Sequence, residues 1–536
     1  MSIQAKTYPA SSNMYALHGT AAQWYWWLWV LALSVISVVF LATMDIGPYM
    51  HSDEFVILDM GRTILDPKTN WSIAWLADQE QPVYLISYLG NVMQELSFEF
   101  GGQYSPRVSA LIGALAAATA LVGLLVARGT LIWPAFWLGL VFLFDPLFVQ
   151  SFTIGRIDSW TMALCLSSCW ILRGNQDHDF KGKAFSARLL LAGALACIAF
   201  FTWPSAVFLF PLIALELLNV LGQGSIHRAI QKDNLKPVLL FVAGGGIAML
   251  FLLAPIASQL PAQFSNALAS FKANAHSGSS GEERAVFQNY LGLLRVLKFS
   301  PFIVILAVVA AIKVKQPLLV IAFGAVTALM VFTLVYINRV QYLIPYFAVC
   351  ISYLYTKDNA DSSNRLLRIG GIAILLFWSI GMSLGVRTFL AFDAPAHRDR
   401  NLVYQAALSL VGPGNHRVYI PYDMYYAGRK LGWQMYRAYL AYNNPLTFEV
   451  LNKVLPYVDY VIMIQYQVTE EVENGLLAEG WHDAGVLALY SEPAEPFTGV
   501  TTNEIRVRNL YSIFEKPYGP YRLFVREKGQ ATPVNE

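Results

Sequence analysis

The chain has 536 residues, 56% of them hydrophobic and only 13% charged, with a formal net charge of +2. That is too apolar for a soluble globular protein of this length. It reads as a polytopic membrane protein, and the near-neutral charge gives no reason to expect a nucleic-acid partner.

Apolar runs recur along the chain, each able to cross a hydrocarbon core of about 30 Å. The first, Trp24–Thr43, opens on QWYWWLW, an aromatic segment suited to a membrane interface. It is too long for a signal-peptide core and has no small-residue cleavage site before Asp45, so it reads as a retained first helix. The loop that follows, Asp45–Pro82, concentrates acids in an acid-poor chain: Asp45, Asp53, Glu54, Asp59, Asp66, Asp78 and Glu80. Within it, 52–66 reads as a short helix capped by Ser52 and stopped by Asp66-Pro67. Residues 82–100 are amphipathic and suited to lie along the interface. Further spans are expected near 106–127, 131–148, 156–173, 188–203, 204–221, 237–256, 299–314, 317–336, 341–356 and 368–389, about eleven in all. Cys165, Cys169, Cys197 and Cys350 all lie in apolar spans and read as small core residues, with no disulfide expected.

If the spans alternate, the basic loops share one side. They hold Arg173, Lys181, Lys183 and Arg188; Arg228, Lys232 and Lys236; Lys313 and Lys315; and Lys357, Arg365 and Arg368. The positive-inside rule makes that side cytoplasmic. Residues 1–23 are then on the cytoplasmic side of an inner (plasma) membrane, and the acidic loop and everything after Leu390 are on the outer side. Residues 257–298 form a long outer segment with a Gly/Ser-rich centre. It reads as a substrate lid or as a plain disordered connection. From 395 the pattern changes. A strand at HRVYIPYD is followed by helices around 424–442 and 446–456, a strand over 458–464, a helix over 468–480, and strands at GVLALYS and YRLFVRE. This alternation suggests a small α/β domain over 395–536, either a binding platform or a stabilising cap.

Carboxylates just past a membrane boundary are costly unless hydrogen-bonded or hydrated, which singles out Asp53 and Glu54. Their plainer use is to complement a helix dipole, worth about 0.3–1 kcal/mol. Other signals are weaker. Asp177-His178-Asp179 resembles a metal–nucleotide motif but sits in a short basic loop without a nucleotide fold. Gly244-Gly245-Gly246 suits close helix packing. Asn70-Trp71-Ser72 fits a glycosylation acceptor pattern, and His51 and His276 are candidates to join a metal site, although a single histidine beside acids is more often a surface residue.

The order of several segments carries more. His51-Ser52-Asp53-Glu54 follows the first span. Then come Glu80-Gln81-Pro82-Val83-Tyr84, Phe100-Gly101, Ser105-Pro106-Arg107-Val108, and Phe144-Asp145-Pro146 followed by Arg156-Ile157-Asp158. Last is Asn338-Arg339-Val340-Gln341-Tyr342-Leu343-Ile344-Pro345. Over about residues 24–390 this series resembles the outer-loop motifs of the GT-C superfamily, which includes protein O-mannosyltransferases and the lipid A aminoarabinose transferase. The resemblance implies a 24–390 transmembrane domain with a catalytic outer loop over 45–105, and it implies a glycosyltransferase. Its donor would be a polyprenyl-phosphate sugar and its acceptor a lipid, glycan or protein on the outer side, with one inverting displacement. Asp53 would then be the base or orient the acceptor, Glu54 its partner, and Glu80 a second acid. Arg107, Arg156 and Arg339 would meet the lipid phosphate, with Asp158 holding Arg156 and Tyr342 in the late motif. The resemblance names no certain cofactor, and a divalent cation is compatible with it. Two departures stand out. Gln81 replaces a lysine, and Ile57-Leu58 replace an Arg-Tyr pair, leaving Arg62 as the nearest substitute cation. A flippase or transporter of a lipid-linked glycan is the alternative, although internal repeats and mid-depth charges are not evident. A non-catalytic scaffold displaying 395–536 is the third reading.

Overall fold

The computed structural model describes residues 20–44, 52–66, 70–73, 75–76, 86–174, 183–222, 226–229, 231–261, 263–265, 292–314, 316–331, 337–356, 365–385, 399–439, 446–489 and 518–526. Glu80, Gln81, His51, His276, Asp177-His178-Asp179 and most of 257–298 lie outside these. The chain divides into two compact units. One comprises Met1–Ala42, Arg107–Gln259 and Ala285–Val386; the other comprises Thr43–Pro106, Leu260–Arg284 and Arg387–Glu536.

The first unit is helical. Helical segments occupy the described parts of the expected spans. Among the described residues, length and composition suffice to cross a membrane for five: Trp24–Ala42, Leu89–Ala127, Lys183–Thr202, Leu235–Gln259 and Arg368–Gly385. A sixth is added if Ile132–Leu143 and Pro146–Thr153, bent by 55°, form one span. That bend has a local cause. Asp145 caps the second helix by accepting from Leu147 N at 3.0 Å, and Pro146 occupies the first helical position. Ser300 Oγ donates to the other Asp145 oxygen at 2.7 Å, so the buried carboxyl is fully engaged.

Small residues set the helix spacing. A Cβ at Gly244 would lie 2.0 Å from Leu190 O, and one at Gly193 would lie 1.9 Å from Phe241 O. The Lys183–Thr202 and Leu235–Leu253 helices therefore pack backbone to backbone, the small-residue contact expected of helices in lipid. Elsewhere Trp29 Nε1 donates to Thr119 Oγ1 at 3.0 Å, tying the first helix to Ser105–Ala127. Deep in the unit, Glu216 is fully buried. Arg128 pairs with one of its oxygens and donates to the Tyr353 hydroxyl, and Arg173 Nε lies 3.9 Å from the other oxygen. Glu216, Arg173 and Tyr353 come from three helical segments, and Arg128 from the turn that follows the Ser105–Ala127 helix.

The second unit is built on a sheet. β1 (Trp75–Leu76) pairs in parallel with β4 (Ala438–Tyr439). A five-stranded sheet has the order β3-β2-β5-β7-β6: β2 Arg417–Tyr419, β3 Gln434–Tyr436, β5 Tyr460–Ile464, β6 Trp481–Leu487 and β7 Tyr521–Arg526. β3, β2 and β5 are parallel, and β7 is antiparallel to both β5 and β6. The two-residue period divides the strands between two cores. Val418, Ile420, Ile462 and Ile464 join one, with Phe55 and Leu58 of the Ser52–Leu65 helix. Tyr419, Val461 and Met463 join the other, with Leu451, Leu476 and Trp481. Phe55 and Leu58 are both 0% exposed, so the Ser52–Leu65 helix belongs to this core, although its sequence position follows a membrane span. Its neighbour Leu89–Gly101 approaches closely because Gly61 has no side chain: a Cβ there would lie 2.2 Å from Asn91 O.

The helix expected over 424–442 stops at Leu431. Gly432 adopts φ 81°, a left-handed cap that glycine takes without strain, and Trp433 then leads into β3. The strand expected at GVLALYS begins earlier, at Trp481.

On the sheet surface Arg522 joins two carboxylates, with Nη1 2.9 Å from Glu473 Oε2 and Nη2 2.7 Å from Asp483 Oδ2. The guanidinium holds both carboxyls below their ordinary range. Lowered folded-state values give stability that is present above the unfolded values and lost as pH falls through the folded ones. Acidification below the usual carboxylate range is therefore expected to lower the melting temperature of the wild type more than that of an Arg522→Met variant. The two curves should converge at low pH in a pH series of thermal unfolding. Parallel curves would show the bridges to be idle.

Candidate active site

Asp53 and Glu54 stand in the first turn of the Ser52–Leu65 helix, whose orientation is set by Phe55 and Leu58 in the core. Glu54 is 1% exposed. Tyr426 Oη donates to its Oε1 at 2.8 Å, and Arg400 Nη2 lies 3.8 Å from the same oxygen. Arg400 is itself clamped. Its Nη1 donates to Gln103 O at 3.1 Å, and its guanidinium carbon sits 4.8 Å from the Tyr104 ring and 5.4 Å from the Tyr426 ring. A carboxylate this deep is tolerable because it is paired and hydrogen-bonded. Asp53, beside it, stays half-buried, and its charge is felt at the Tyr422 hydroxyl.

Two turns on, Asp59 is fully buried. It accepts from Arg62 Nη2 at 2.9 Å, from Ile73 N at 2.9 Å and from Ser72 Oγ. Arg62 also donates to Trp71 O at 2.6 Å, with its guanidinium carbon 3.4 Å from the Trp71 ring. Arg62 is thus committed to folding the loop after the helix, which corrects its reading as a substitute phosphate cation. The same geometry buries Ser72 and ties its hydroxyl to Asp59, which removes Asn70-Trp71-Ser72 as an open acceptor triad. Arg429 pairs with Glu95 at 2.8 Å and with Glu99, joining Leu89–Gly101 to the Tyr425–Leu431 helix. These links span hundreds of residues and carry no local motif; only the sheet brings them together.

In the helical unit, Arg156 Nε donates to Asp158 Oδ2 at 2.7 Å, and Tyr342 Oη donates to Asp158 Oδ1 at 2.9 Å. All three are buried, and the Trp203 ring lies 5.9 Å from the Arg156 guanidinium carbon. Gln341 Nε2 donates to Ser151 Oγ at 3.2 Å alongside. Arg107 is buried at 2% exposure, and Arg339 is half-buried in the short Ile337–Val340 helix. Asp53 and Glu54 therefore belong to one unit, and Arg107, Arg156, Asp158, Arg339 and Tyr342 to the other. Glu80 lies outside the described residues. Among the described residues, no group of three or more His, Cys, Asp and Glu side chains is arranged to hold a metal ion. Arg400, Tyr426, Tyr422 and Arg437 are missed by sequence reasoning, because each sits in an ordinary stretch of the C-terminal segment.

No protein-family model matches the chain, and no curated protein matches it by sequence. By shape it is similar to ArnT from Cupriavidus metallidurans bound to undecaprenyl phosphate, with a TM-score of 0.56 and 12% identity over 87% of this chain and 96% of that one. The chain shares the fold of that ArnT. The apo form of the same ArnT gives a TM-score of 0.55 at 12% identity, over 88% of this chain and 97% of that one. The oligosaccharyltransferase AglB from Archaeoglobus fulgidus, in complex with an inhibitory peptide and a dolichol-phosphate, gives 0.48 at 12% identity, over 94% and 89%. With five described helices long and apolar enough to cross a membrane, this is a mostly helical multi-pass membrane protein. Within it, the Asp53-Glu54 turn and the Arg156–Asp158–Tyr342 cluster are the two charged constellations that the outer-loop motifs single out.

Proposed function

We propose that the protein is a glycosyltransferase that moves a sugar from a polyprenyl-phosphate donor to a lipid, glycan or protein acceptor on the outer side of an inner (plasma) membrane. About eleven spans over 24–390 would hold the donor lipid, and 395–536 would be extracytoplasmic. The observation that carries this is the division of labour in the Asp53-Glu54 pair. Glu54 is locked by Tyr426 and Arg400, while Asp53, one residue away in the same helical turn, is half-buried. The GT-C fold, shared with an ArnT bound to undecaprenyl phosphate, supports the donor class.

In this reading Asp53 takes the proton from the acceptor hydroxyl. The acceptor oxygen attacks the anomeric carbon as the bond from that carbon to the phosphate oxygen breaks, inverting the configuration. The departing phosphate is met by cations: Arg156, held by Asp158, and Arg107 and Arg339 in the role the motifs imply. Glu80 is the second acid of the loop.

The test uses purified full-length protein in nanodiscs carrying an undecaprenyl-phosphate-linked radiolabelled sugar and total membrane lipids and glycans as acceptor. The expected result is protein-dependent appearance of label in a new product, with release of undecaprenyl phosphate. Movement of intact donor between leaflets without cleavage would replace this reading with that of a flippase.

A further inference from the structure

Three segments meet at the carboxyl ends of the parallel strands in the second unit. The chain runs from β2 to β3 on one side, then crosses back over β2 to β5 on the other. Connections therefore diverge between β2 and β5, and in open α/β sheets such a point is where ligands bind, outside the carboxyl ends of the strands. Tyr422 and Asp423 follow β2, Arg437 follows β3, and Gln465 and Tyr466 follow β5.

These side chains are arranged with care. Arg437, 7% exposed, donates from Nη1 to Ile420 O at 2.9 Å, with its guanidinium carbon 4.1 Å from the Tyr422 ring and 5.8 Å from the Tyr419 ring. Asp423, 1% exposed, accepts from Tyr521 Oη at 2.6 Å. Among the described residues, the hydroxyl of Tyr419, 1% exposed, and Oε1 of Gln465 have no hydrogen-bond partner. Leaving a buried hydroxyl without a partner is costly, so the unmet need here points to a ligand. The Tyr466 ring, by contrast, is 61% exposed, and its hydroxyl feels both Asp423 and Arg437. Asp53 acts on the same Tyr422 hydroxyl from the Ser52–Leu65 helix.

We propose that this strand edge is a saccharide subsite that holds the acceptor as a glycan, its sugar ring against Tyr466 and its hydroxyls shared by Gln465, Tyr419 and Asp423, beside Asp53. The chemistry selects this ligand class. A pyranose offers an apolar C–H face for an open aromatic ring and a rim of hydroxyls for planar polar groups. A free anion is disfavoured, because Arg437 is offset by Asp423 and Asp53. A cation is disfavoured by Arg437 itself. The assignment of this sugar as the acceptor rests on the transferase reading above; the existence of the subsite does not.

Saturation-transfer NMR on the full chain in nanodiscs, with methyl glycosides of glucose, galactose, mannose and arabinose, tests the subsite. At least one glycoside is expected to receive magnetisation. Tyr466→Ala should lower its affinity about tenfold, while Tyr466→Phe and Asp53→Asn retain it. Tyr466 is open to solvent, so these variants should fold. Silence from all four glycosides, or a signal indifferent to Tyr466→Ala, would overturn the subsite. In the transfer assay Tyr466→Ala should raise the acceptor KM about tenfold and leave the donor KM unchanged. A change confined to the donor KM would overturn the acceptor assignment. Binding that survives while Asp53→Asn leaves transfer intact would instead count against the catalytic reading and leave the subsite standing.

Discussion

Asp53→Asn should abolish most sugar transfer, by about 10²–10⁴-fold in kcat, while protein yield and melting temperature stay near those of the wild type. Asparagine keeps the shape of the side chain and still accepts hydrogen bonds at the start of a helix. The stability lost is only the dipole contribution, about 0.3–1 kcal/mol. What disappears is a group able to take a proton. The neighbouring variant sharpens the comparison. Glu54→Gln retains an acceptor for the Tyr426 hydroxyl but leaves the Arg400 guanidinium buried without its counter-charge. Its defect should therefore appear in melting temperature as well as in rate. Transfer that continues unchanged in Asp53→Asn at normal protein levels would remove Asp53 as the base.

The second large effect lies in the helical unit. Glu216→Ala should destabilise it by about 3–5 kcal/mol, because it strands Arg128 in a buried site and takes the counter-charge from the half-buried Arg173. The attraction within this cluster is not the main quantity at stake. The larger cost is an uncompensated charge where no water can reach it. The double variant Arg128→Met/Glu216→Leu should recover much of the loss, since an apolar pair of similar volume avoids that cost. Equilibrium unfolding in mixed micelles measures both variants. A loss below about 1 kcal/mol for Glu216→Ala would place the cluster among the weak ion pairs.

The parts of this protein legible in the sequence are those governed by short-range rules. The apolar runs mark the helices, because a lipid-facing helix must be apolar along its whole length. Ser52–Leu65 is legible from its start signal and its stop, and the parallel strands from their β-branched and aromatic runs. Gly244 is legible as a packing residue. The helix after Asp423 is misjudged in length, because Gly432 reads equally well as an interior glycine until its left-handed φ of 81° is seen.

The site is legible only in half. Sequence by itself determined that Asp53, Glu54, Arg156 and Asp158 are candidates, because charge is rare in this chain and these residues sit at span boundaries in a recognisable order. Only the tertiary structure decided their states. It put Glu54 under Tyr426 and Arg400, residues more than three hundred positions away, and tied Arg62 to Asp59 and Trp71. It also gathered Tyr422, Arg437 and Tyr466 at one sheet edge. The physical reason is that a hydrogen bond or ion pair is fixed by where two backbones come together in space. In a sheet whose strands cross over one another, that meeting point leaves no trace in the spacing along the chain.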